Sequence, residues 1–235
     1  MKKNDHYGKY DCFLADAMHT LKNMIAPINT YVDMIHTGKV DQRQMMDIAD
    51  KIDTCANNAT KVCTDLMNIF RIRAEVMDVY SEKINPFGLL QEYVFMIESN
   101  LKQKHIEIRN LIDPGVYVMS NKEMLISTFM NLLTNAVKFS YPNSTITISG
   151  KKAKGNMYEL HFSDEGIGID EEKINEKISK GTRYTTQGTA NEIGTGLGLI
   201  LVKNILEKNG GSIRACNNKD KGATFVITLP LYKEK

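Results

Sequence analysis

The stretch DEGIGIDEEKINEKISKGTRYTTQGTANEIGTGLGL, residues 164–199, contains two glycine clusters separated by a long polar segment. Glycine clusters let the backbone approach a bound group closely, because no Cβ intervenes. The second cluster, GTGLGL, opens a predicted helix over 195–209, whose first N–H groups and positive dipole end favour a phosphate. The first cluster follows a predicted strand and begins with Asp164, a carboxylate that can accept a hydrogen bond from an amino group. Taken singly, the clusters also fit a flexible turn and an Asx turn.

The sequence around this stretch alternates between helical and strand periodicity from residue 81 onward. Predicted helices cover 86–103, 121–139, 170–178 and 195–209, and predicted strands cover 105–109, 115–119, 144–149, 157–163, 212–217 and 223–229. The motif SNKE predicts a capping box in which Ser120 caps the second helix and Glu123 is its partner. Helices mixed with mostly hairpin-linked strands predict an α+β fold, with a two-layer α/β sandwich over residues 81–235.

Residues 1–80 show a different pattern, typical of an antiparallel helical hairpin. Apolar residues recur at alternating spacings of four and three along two segments that flank HTGKVDQ. The seam consists of Leu14, Met18, Leu21, Ile25, Ile28, Val32 and Ile35, and then Met45, Ile48, Ile52, Cys55, Ala59, Val62, Leu66 and Ile69. Two helices bury such a seam poorly, so the pattern predicts a homodimer built on a four-helix bundle. A monomer whose hairpin packs on its own second domain is the alternative.

The amino-acid composition indicates which kinds of binding partner are not expected for the chain. The chain has 235 residues, of which 42% are hydrophobic and 25% charged, and its net charge is only +2. This balance gives no reason to expect nucleic acid or an anionic membrane surface as a partner. The four cysteines form no CxxC pair, which fits a reducing compartment. Because no apolar run could span a bilayer and no signal peptide opens the chain, we expect a cytoplasmic protein or the cytoplasmic part of a longer sensor.

A third motif, NLLTNAVKFS at residues 131–140, lies on the predicted helix over 121–139. Asn131 and Asn135 are four residues apart and share a helical face with Lys138. Amide oxygens can ligate Mg²⁺, and a lysine can bind phosphate. Buried asparagines that cap neighbouring loops are the simpler alternative for any such pair.

Together and in this order, the three motifs resemble the nucleotide-binding domain of histidine kinases, within the superfamily of gyrase, the mismatch-repair ATPases and the heat-shock ATPase. NLLTNAVKF is similar to the family's N box, DEGIGI to its first glycine box and GTGLGL to its second. GATF near the end resembles the last box, in which Thr224 would support Asp164 at the adenine. The resemblance covers about residues 82–232 and implies an α/β sandwich that binds ATP between the N-box helix and the glycine boxes.

The resemblance also implies individual site residues. Asn135 would hold Mg²⁺, Arg183 would replace a phosphate-binding lysine that the family often has at the position of Gln187, and the polar stretch 175–193 would form a lid over ATP. The full set of implied ATP-binding residues is Asn131, Asn135, Lys138, Phe139, Asp164, Gly166, Gly168, Arg183, Gly194, Gly196, Leu197, Gly198 and Thr224.

The hairpin resembles the family too. HTLKNMIAPI, residues 19–28, is similar to the phosphoacceptor region, which makes His19 the implied nucleophile and a response-regulator receiver domain the implied partner. Because His19 follows the seam residue Met18, we expect it to point away from the bundle core. The family usually has an acidic residue directly after the histidine. Here Thr20, which we expect on the helix surface, occupies that position, and Asp16 one turn earlier is a possible substitute.

Three functions follow from these patterns. The first is a histidine autokinase that transfers its phosphoryl group to a response regulator. The second is a degenerate ATP-binding member that acts as a phosphatase or an interaction module, for which Asn23 matches the family position that orients water against an aspartyl phosphate. The third is a gyrase-like ATPase, although those enzymes carry a glutamate base at the position of Asn131.

Overall fold

The computed structural model describes residues 4–38, 40–73, 81–190 and 194–234, with side chains from residue 15 on except those of Asp16 and Arg73. The chain divides into two compact units, Met1–Phe70 and Arg71–Lys235. The predicted domain boundary after residue 80 falls at the end of 74–80, which lies outside the described residues, so it stays a prediction. Within the described part of the chain, no helix combines the length and apolarity needed to cross a bilayer.

The first unit is a hairpin of two long helices, α1 (Asn4–His36) and α2 (Gln42–Arg73). The turn between them contains Gly38, whose φ of +66° favours glycine. Asp41 and Gln44 then form a reciprocal cap at the start of α2. Asp41 Oδ1 accepts from the Gln44 N–H at 2.8 Å, and Gln44 Oε1 accepts from the Asp41 N–H at 2.9 Å. This cap satisfies two backbone donors that the helix itself leaves open.

The predicted seam is buried mainly on α2. Its members Ile48, Ala59, Val62, Leu66 and Ile69 are buried. On α1, Met18 and Ile25 are 54% and 42% exposed, while the neighbouring residues Ala17 and Thr20 are buried. His19 is exposed as predicted, but Met18 is exposed as well. The expectation that Thr20 lies on the surface is wrong, because only 8% of it is exposed.

Asp65 is a buried carboxyl group on α2. It is 5% exposed, and its Oδ2 atom has no hydrogen-bond partner within the described residues. Burial raises the pKa of this carboxyl from its ordinary value of 3.8 to about 6, and the positive charge of Lys61 opposes the change. The hairpin therefore contains a group that favours folding when it is protonated.

We expect the free energy of unfolding to decrease as the pH rises from 3.8 to about 6, because only the folded state keeps the Asp65 proton in that window. Asp65→Asn should abolish this slope and stabilise the protein at neutral pH by up to ~3 kcal/mol. Asp50→Asn, which removes an exposed carboxylate from the same helix, is the matched control. Denaturant titrations between pH 4 and 8 measure the effect, and parallel curves for the wild type and Asp65→Asn would contradict it.

The second unit has mixed helices and strands. Its helices are α3 (Pro86–Met96), α4 (Glu98–Lys104), α5 (Lys122–Phe139), α6 (Glu171–Lys180) and α7 (Gly198–Lys208). Its strands are β1 (Glu82–Ile84), β2 (Glu107–Leu111), β3 (Val118–Ser120), β4 (Thr145–Ala153), β5 (Met157–Ser163), β6 (Ser212–Asn217) and β7 (Ala223–Pro230). Five strands form one sheet in the order β2-β4-β5-β7-β6, and β1 pairs with β3. The predicted α+β fold is confirmed.

The main sheet is antiparallel except where β2 runs parallel to β4. Strand alternation sends Tyr158, Leu160 and Phe162 of β5 into the core, while Glu159 and His161 face the other side. Helix α5 packs on the apolar face, where the Phe129 and Phe162 rings meet edge to face with centroids 5.3 Å apart. Packing against the apolar face of the sheet thus fixes the position of α5.

Two predicted helix features differ from the structure. The helix predicted over 86–103 is divided at Ile97 into α3 and α4. The N-cap of α5 is Asn121, whose Oδ1 accepts from the Met124 N–H at 3.0 Å, and not Ser120. Ser120 is the last residue of β3, one position before the N-cap, and its buried Oγ atom has no hydrogen-bond partner within the described residues.

Candidate functional site

Helix α5 lies directly against both glycine clusters. A Cβ on Gly166 would lie 2.1 Å from the Phe139 carbonyl oxygen, and a Cβ on Gly198 would lie 2.5 Å from Asn131 Oδ1. Backbone oxygens cannot yield to such a contact, so glycine is required at Gly166 for the close approach. The structure therefore brings the three sequence motifs together, with the first cluster at the C-terminal end of α5 and the second cluster two turns earlier.

Asp164 follows β5 and is 4% exposed. Its Oδ1 atom accepts from the backbone N–H groups of Gly166 at 2.9 Å and Ala223 at 3.2 Å. No hydrogen bond within the described part of the chain reaches Oδ2. Burial raises the pKa of this carboxyl, and the two N–H donors act in the opposite direction. The side chain is thus held at one oxygen and has the other available for a ligand N–H donor.

A turn before β7 supports Asp164. Asn218 Nδ2 donates to the Asp164 carbonyl at 2.8 Å, and Gly222, at φ +80°, packs so closely that a Cβ would lie 2.0 Å from the same oxygen. The Thr224 hydroxyl donates to Asn218 Oδ1 at 2.6 Å and pairs with Ser163 Oγ at 2.5 Å. Thr224 therefore supports Asp164 through Asn218 and not by a direct contact. The turn-rich sequence NNKDKG could have pointed to Asn218.

The first glycine cluster is fixed at a second point. Gly168 has a φ of +74°, and a Cβ there would lie 2.9 Å from Asn217 Oδ1. The Asn217 side chain accepts from the Ile169 N–H and donates to the Ile169 carbonyl, each at 2.8 Å. Because β6 carries Asn217, the chain that leaves Asp164 is tied to the sheet edge.

The second glycine cluster leads into α7, which starts at Gly198, three residues later than predicted. The residue at the N-cap position is Leu197, whose side chain cannot accept a hydrogen bond. The first N–H groups of α7 therefore have no partner from the N-cap side chain. Leu197 itself is fully buried, and its N–H donates to Thr195 Oγ1 at 3.3 Å, so its predicted contact with ATP stays a prediction. Gly196 reverses the chain just before, at φ +71°. An uncapped helix start behind a glycine turn is suited to an anion.

Arg183 lies at this second cluster. Its Nε and Nη2 atoms donate to the Thr195 carbonyl at 3.1 and 2.7 Å. The guanidinium therefore positions the backbone of the cluster in this structure. Its predicted contact with a phosphate stays a prediction.

The polar stretch between the clusters is not a lid along its whole predicted length. Residues 175–180 belong to α6, whose Ile174 and Ile178 are buried in the core. The Asn175 side chain also exchanges two hydrogen bonds with the backbone of Ala215 on β6, at 2.7 and 3.0 Å. The predicted lower limit at 175 is therefore wrong, because α6 is anchored to the sheet. A lid can begin only after Gly181, the C-cap of α6, and residues 191–193 of it lie outside the described residues.

The segment after α6 is attached to the end of α5 through Thr189. The Thr189 hydroxyl donates to the Ser140 carbonyl at 2.7 Å, and the Thr189 N–H donates to the Lys138 carbonyl at 3.1 Å. Lys104 Nζ lies 3.0 Å from the Thr189 hydroxyl and donates to the Val137 and Lys138 carbonyls at the same distance. Nothing in the local sequence marks Lys104 for this role.

The N-box residues of α5 have different environments. Asn131 is 5% exposed, and its Nδ2 donates to the Ser127 carbonyl at 2.8 Å. Lys138 is half-buried, and its Nζ donates to the Thr186 carbonyl at 3.2 Å and lies 4.7 Å from the centre of the Phe139 ring. Asn135 is half-buried one turn after Asn131. The same face of α5 thus presents an amide and an ammonium group beside the glycine clusters.

A metal at this site would depend on few protein ligands. No group of three or more His, Cys, Asp or Glu side chains suited to a metal ion occurs among the residues that the structure describes. The Asn135 amide oxygen is the candidate ligand. Mg²⁺ fits such a donor set, because it is commonly held by one or two protein oxygens together with the phosphates of a nucleotide.

On the hairpin, His19 and Asn23 are both exposed and lie one helical turn apart on α1. Asn23 Nδ2 is 3.2 Å from His19 Nδ1. The Asp16 side chain lies outside the described residues, so its suggested role as a substitute base stays a prediction. Each of the two units thus carries its own set of predicted site residues.

Comparison with known proteins gives a consistent result. Residues 120–233 match the family described as "Histidine kinase-, DNA gyrase B-, and HSP90-like ATPase". The sensor-like histidine kinase SenX3 of Mycolicibacterium smegmatis is 24% identical over 225 residues, which are 94% of this chain and 58% of SenX3. The sensor histidine kinase WalK of Bacillus subtilis is 27% identical over 229 residues, which are 95% of this chain and 37% of WalK. The chain thus spans only part of these relatives.

Solved structures share the fold. The histidine kinase AdeS of Acinetobacter baumannii superimposes with a TM-score of 0.71 at 18% identity, covering 92% of this chain and 98% of that chain. The histidine kinase ThkA, solved in complex with the response regulator protein TrrA, gives a TM-score of 0.75 at 19% identity, covering 98% of this chain and 64% of that chain.

Proposed function

From the premise that residues 120–233 form a histidine kinase-, gyrase- and HSP90-like ATPase domain in a homologue of the sensor histidine kinases, we propose that this chain is a histidine kinase core. It uses ATP to phosphorylate His19 and then transfers the phosphoryl group to an aspartate of a response-regulator receiver domain. The observation that carries the proposal is the convergence of both glycine clusters on α5, with Asp164 at one end and the uncapped start of α7 at the other.

The geometry of the described residues supports a specific role for each of them in the proposed binding of ATP. Asp164 Oδ2 accepts from the adenine amino group, because Oδ1 is already bound by two backbone donors. The first N–H groups of α7 and the Lys138 ammonium face the phosphates. Mg²⁺ bound at Asn135 would neutralise charge on the phosphates during transfer. Arg183 keeps the second cluster in the shape that this binding requires.

The transfer step needs no protein base at the nucleotide site. The Nε2 lone pair of neutral His19 attacks the γ-phosphorus, a P–N bond forms, and the bond from that phosphorus to the β–γ bridging oxygen breaks as ADP leaves. The exposed His19 ring can reach a second domain without breaking the hairpin core. Asn131 could not serve a gyrase-like hydrolysis as its glutamate base, because an amide does not accept a proton at neutral pH.

The alternative of a degenerate phosphatase or interaction module is less well supported. Both glycine clusters of the chain lie against the N-box helix α5, and the relatives SenX3 and WalK are named as histidine kinases. The ThkA structure contains a response regulator protein, which supports a receiver domain as the partner proposed for this chain.

The test is incubation with γ-labelled ATP and Mg²⁺, followed by treatment of the labelled protein with acid and with base. A phosphoramidate bond to histidine is expected to break in acid and to survive base. Absence of label, or label that survives acid, would refute the autokinase proposal. Transfer of the label to a receiver domain would then identify the partner.

We also propose that the chain forms a homodimer through the hairpin. Large apolar side chains are exposed on both helices, with Met18 and Ile25 on one face of α1 and Met45 and Met67 on one face of α2 between 42% and 56% exposed. A second hairpin would cover them and complete a four-helix bundle. The described single chain leaves this apolar surface in water, which favours association.

Light scattering should report twice the monomer mass for the wild type and the monomer mass for Met18→Glu/Ile25→Glu, because two charges would be placed in the buried seam. Thr30→Glu, an acidic substitution at an exposed polar position of α1 that does not share the face of Met18 and Ile25, should leave the dimer intact. A wild type that is monomeric at micromolar concentration would refute the dimer, and a dimeric double variant would place the interface elsewhere.

A further inference from the structure

We propose that Lys104 is a positioning residue for nucleotide binding, because it fixes the segment 182–190 to the C-terminal end of the N-box helix α5. The inference rests on the proposed function, in which ATP lies between α5 and the glycine clusters. The observations behind it are three hydrogen bonds from the Lys104 ammonium, one of which ends on Thr189 of that segment.

The Lys104 ammonium meets a set of acceptors that suits its geometry. An ammonium has three N–H donors, and three oxygens lie 3.0 Å from Nζ, namely the carbonyls of Val137 and Lys138 and the hydroxyl of Thr189. The two carbonyls belong to the last turn of α5, where the helix lacks N–H donors of its own for them. The helix dipole also favours a cation at this end. Lys104 of α4 thus stabilises the end of α5.

The bond from Lys104 to Thr189 has a defined direction. The Thr189 hydroxyl has one proton, and its nearest carbonyl is that of Ser140 at 2.7 Å, so it meets the ammonium as an acceptor. The Thr189 N–H separately donates to the Lys138 carbonyl at 3.1 Å. A donor at position 104 therefore completes the link, and an apolar side chain of similar length would remove it.

Lys104 is itself held in place through its backbone. Its carbonyl accepts from the Asn143 N–H at 2.9 Å, in the turn that follows α5. Close by, the Glu107 N–H donates to the Ser144 carbonyl at 3.0 Å and continues the attachment into β2. The Lys104 side chain is half-buried. Both its backbone and its side chain thus contact the region around the end of α5, which keeps the ammonium in position.

The segment that Lys104 holds carries two contacts at the phosphate end of the site. Arg183, near its start, donates to the Thr195 carbonyl of the second glycine cluster at 3.1 and 2.7 Å. The Thr186 carbonyl accepts from the Lys138 ammonium at 3.2 Å. If the segment separated from α5, the second glycine cluster and the Lys138 ammonium would both lose support. Lys104 therefore acts on the phosphates through the segment, without touching them.

The adenine end of the site depends on other contacts. The Asp164 carboxyl accepts from the Ala223 N–H at 3.2 Å, and the Asp164 carbonyl accepts from the Asn218 side chain at 2.8 Å. Neither donor belongs to the segment that Lys104 holds. Loss of Lys104 should therefore weaken the binding of a nucleotide through its phosphates and leave the recognition of adenosine intact.

Ligand binding to the full chain tests this division. Lys104→Met keeps a side chain of similar length and removes its three donors. It should weaken ATP and ADP about five- to tenfold, the size expected for the loss of such hydrogen bonds, and leave adenosine binding unchanged. Calorimetry with Mg²⁺ measures ATP and ADP, and titration of amide resonances measures adenosine. Lys102→Met, which removes an exposed lysine from the same helix, is the matched control and should bind all three ligands as the wild type does.

Hydrogen exchange of single amides tests the link without any nucleotide. The Thr189 amide, which donates to the Lys138 carbonyl, should exchange about tenfold faster in Lys104→Met. The Leu160 amide in β5 should exchange at the wild-type rate, which shows that the fold is intact. Thr189→Val removes the hydroxyl and keeps the N–H. Adding Lys104→Met to it should cause little further change, because both substitutions remove the same link.

Kinetics separate a role in binding from a role in the chemical step. Lys104→Met should raise the KM for ATP and leave kcat unchanged, because the lost support concerns the bound nucleotide and not the transition state alone. A general loss of structure would instead lower the rate at saturating ATP. A lower kcat in Lys104→Met would therefore contradict the positioning role.

Three further results would overturn the inference. They are wild-type affinity of Lys104→Met for ATP, an equal loss of adenosine binding, and unchanged exchange of the Thr189 amide. A wild type that binds ATP but incorporates no label would refute the proposed kinase activity and leave the role of Lys104 in binding supported. A wild type that binds no ATP would refute both.

Discussion

Replacing His19 with alanine is expected to abolish acid-labile phosphoryl incorporation while leaving the affinity for ATP unchanged. The reason is chemical, because alanine has no nucleophile to form the P–N bond. It is also structural, because His19 lies on α1, whereas the residues assigned to ATP lie on α5, α7 and β7 and in the loops after β5 and before α7. His19 is exposed, so its removal should change the free energy of unfolding by no more than about 0.5 kcal/mol.

His36→Ala is the matched control for this experiment. His36 is an exposed histidine in the last turn of the same helix, and its removal should leave incorporation at the wild-type level. Persistent label on His19→Ala would exclude His19 as the acceptor. Loss of label together with loss of ATP binding would show that the substitution acts on the nucleotide site or the fold.

Asp164→Asn is expected to weaken ATP and ADP alike by about 100-fold, with or without Mg²⁺. One amide oxygen can still accept from Gly166 and Ala223, but the amide nitrogen then replaces Oδ2 and faces the adenine amino group as a second donor. A buried donor facing a donor costs roughly 1–3 kcal/mol in addition to the lost hydrogen bond. The burial of Asp164 prevents water from relieving the conflict.

Asn135→Ala tests the metal-dependent part of ATP binding separately from recognition of the adenine. Because Asn135 is assigned to Mg²⁺, this variant should lose chiefly the part of ATP affinity that depends on the metal. Calorimetry of ATP and ADP binding with and without Mg²⁺ measures the difference. Asn110→Ala, which removes an amide side chain from β2 and not from the N-box helix, is the control. Equal losses in both conditions for Asp164→Asn and Asn135→Ala would reject the division of roles.

The sequence predicted the strands better than the segments near the glycine clusters. Strands β5 and β6 match the predicted ranges 157–163 and 212–217, because alternating burial gives a strong local signal. Helix α6 was predicted over 170–178, close to the observed Glu171–Lys180, but residues 175–180 were also assigned to the lid. The spacing of four between Ile174 and Ile178 fits one buried helical face, so the evidence against a lid at 175–180 was present.

Only those residues of the candidate site that belong to a recognisable sequence motif could be predicted. The N box and the glycine clusters were recognisable as sequence, and the structure places them in contact. The link from Lys104 to Thr189 joins residues 85 positions apart and has no local signature. The burial of Thr20 was missed for another reason. A heptad seam identifies a helical stripe, but it does not say which flank of that stripe is covered.

The role proposed for Asp164 has a consequence for how the proposed kinase would respond to metabolism. Asp164 would contact the end of the nucleotide that ATP and ADP have in common, through an oxygen that distinguishes an amino group from a carbonyl. Guanine nucleotides would face it with an acceptor and be rejected, whereas the ADP left after each transfer would compete with fresh ATP for the same pocket. Phosphorylation of this chain would then follow the ratio of ATP to ADP, and its output would be weighted by the energy state of the cell.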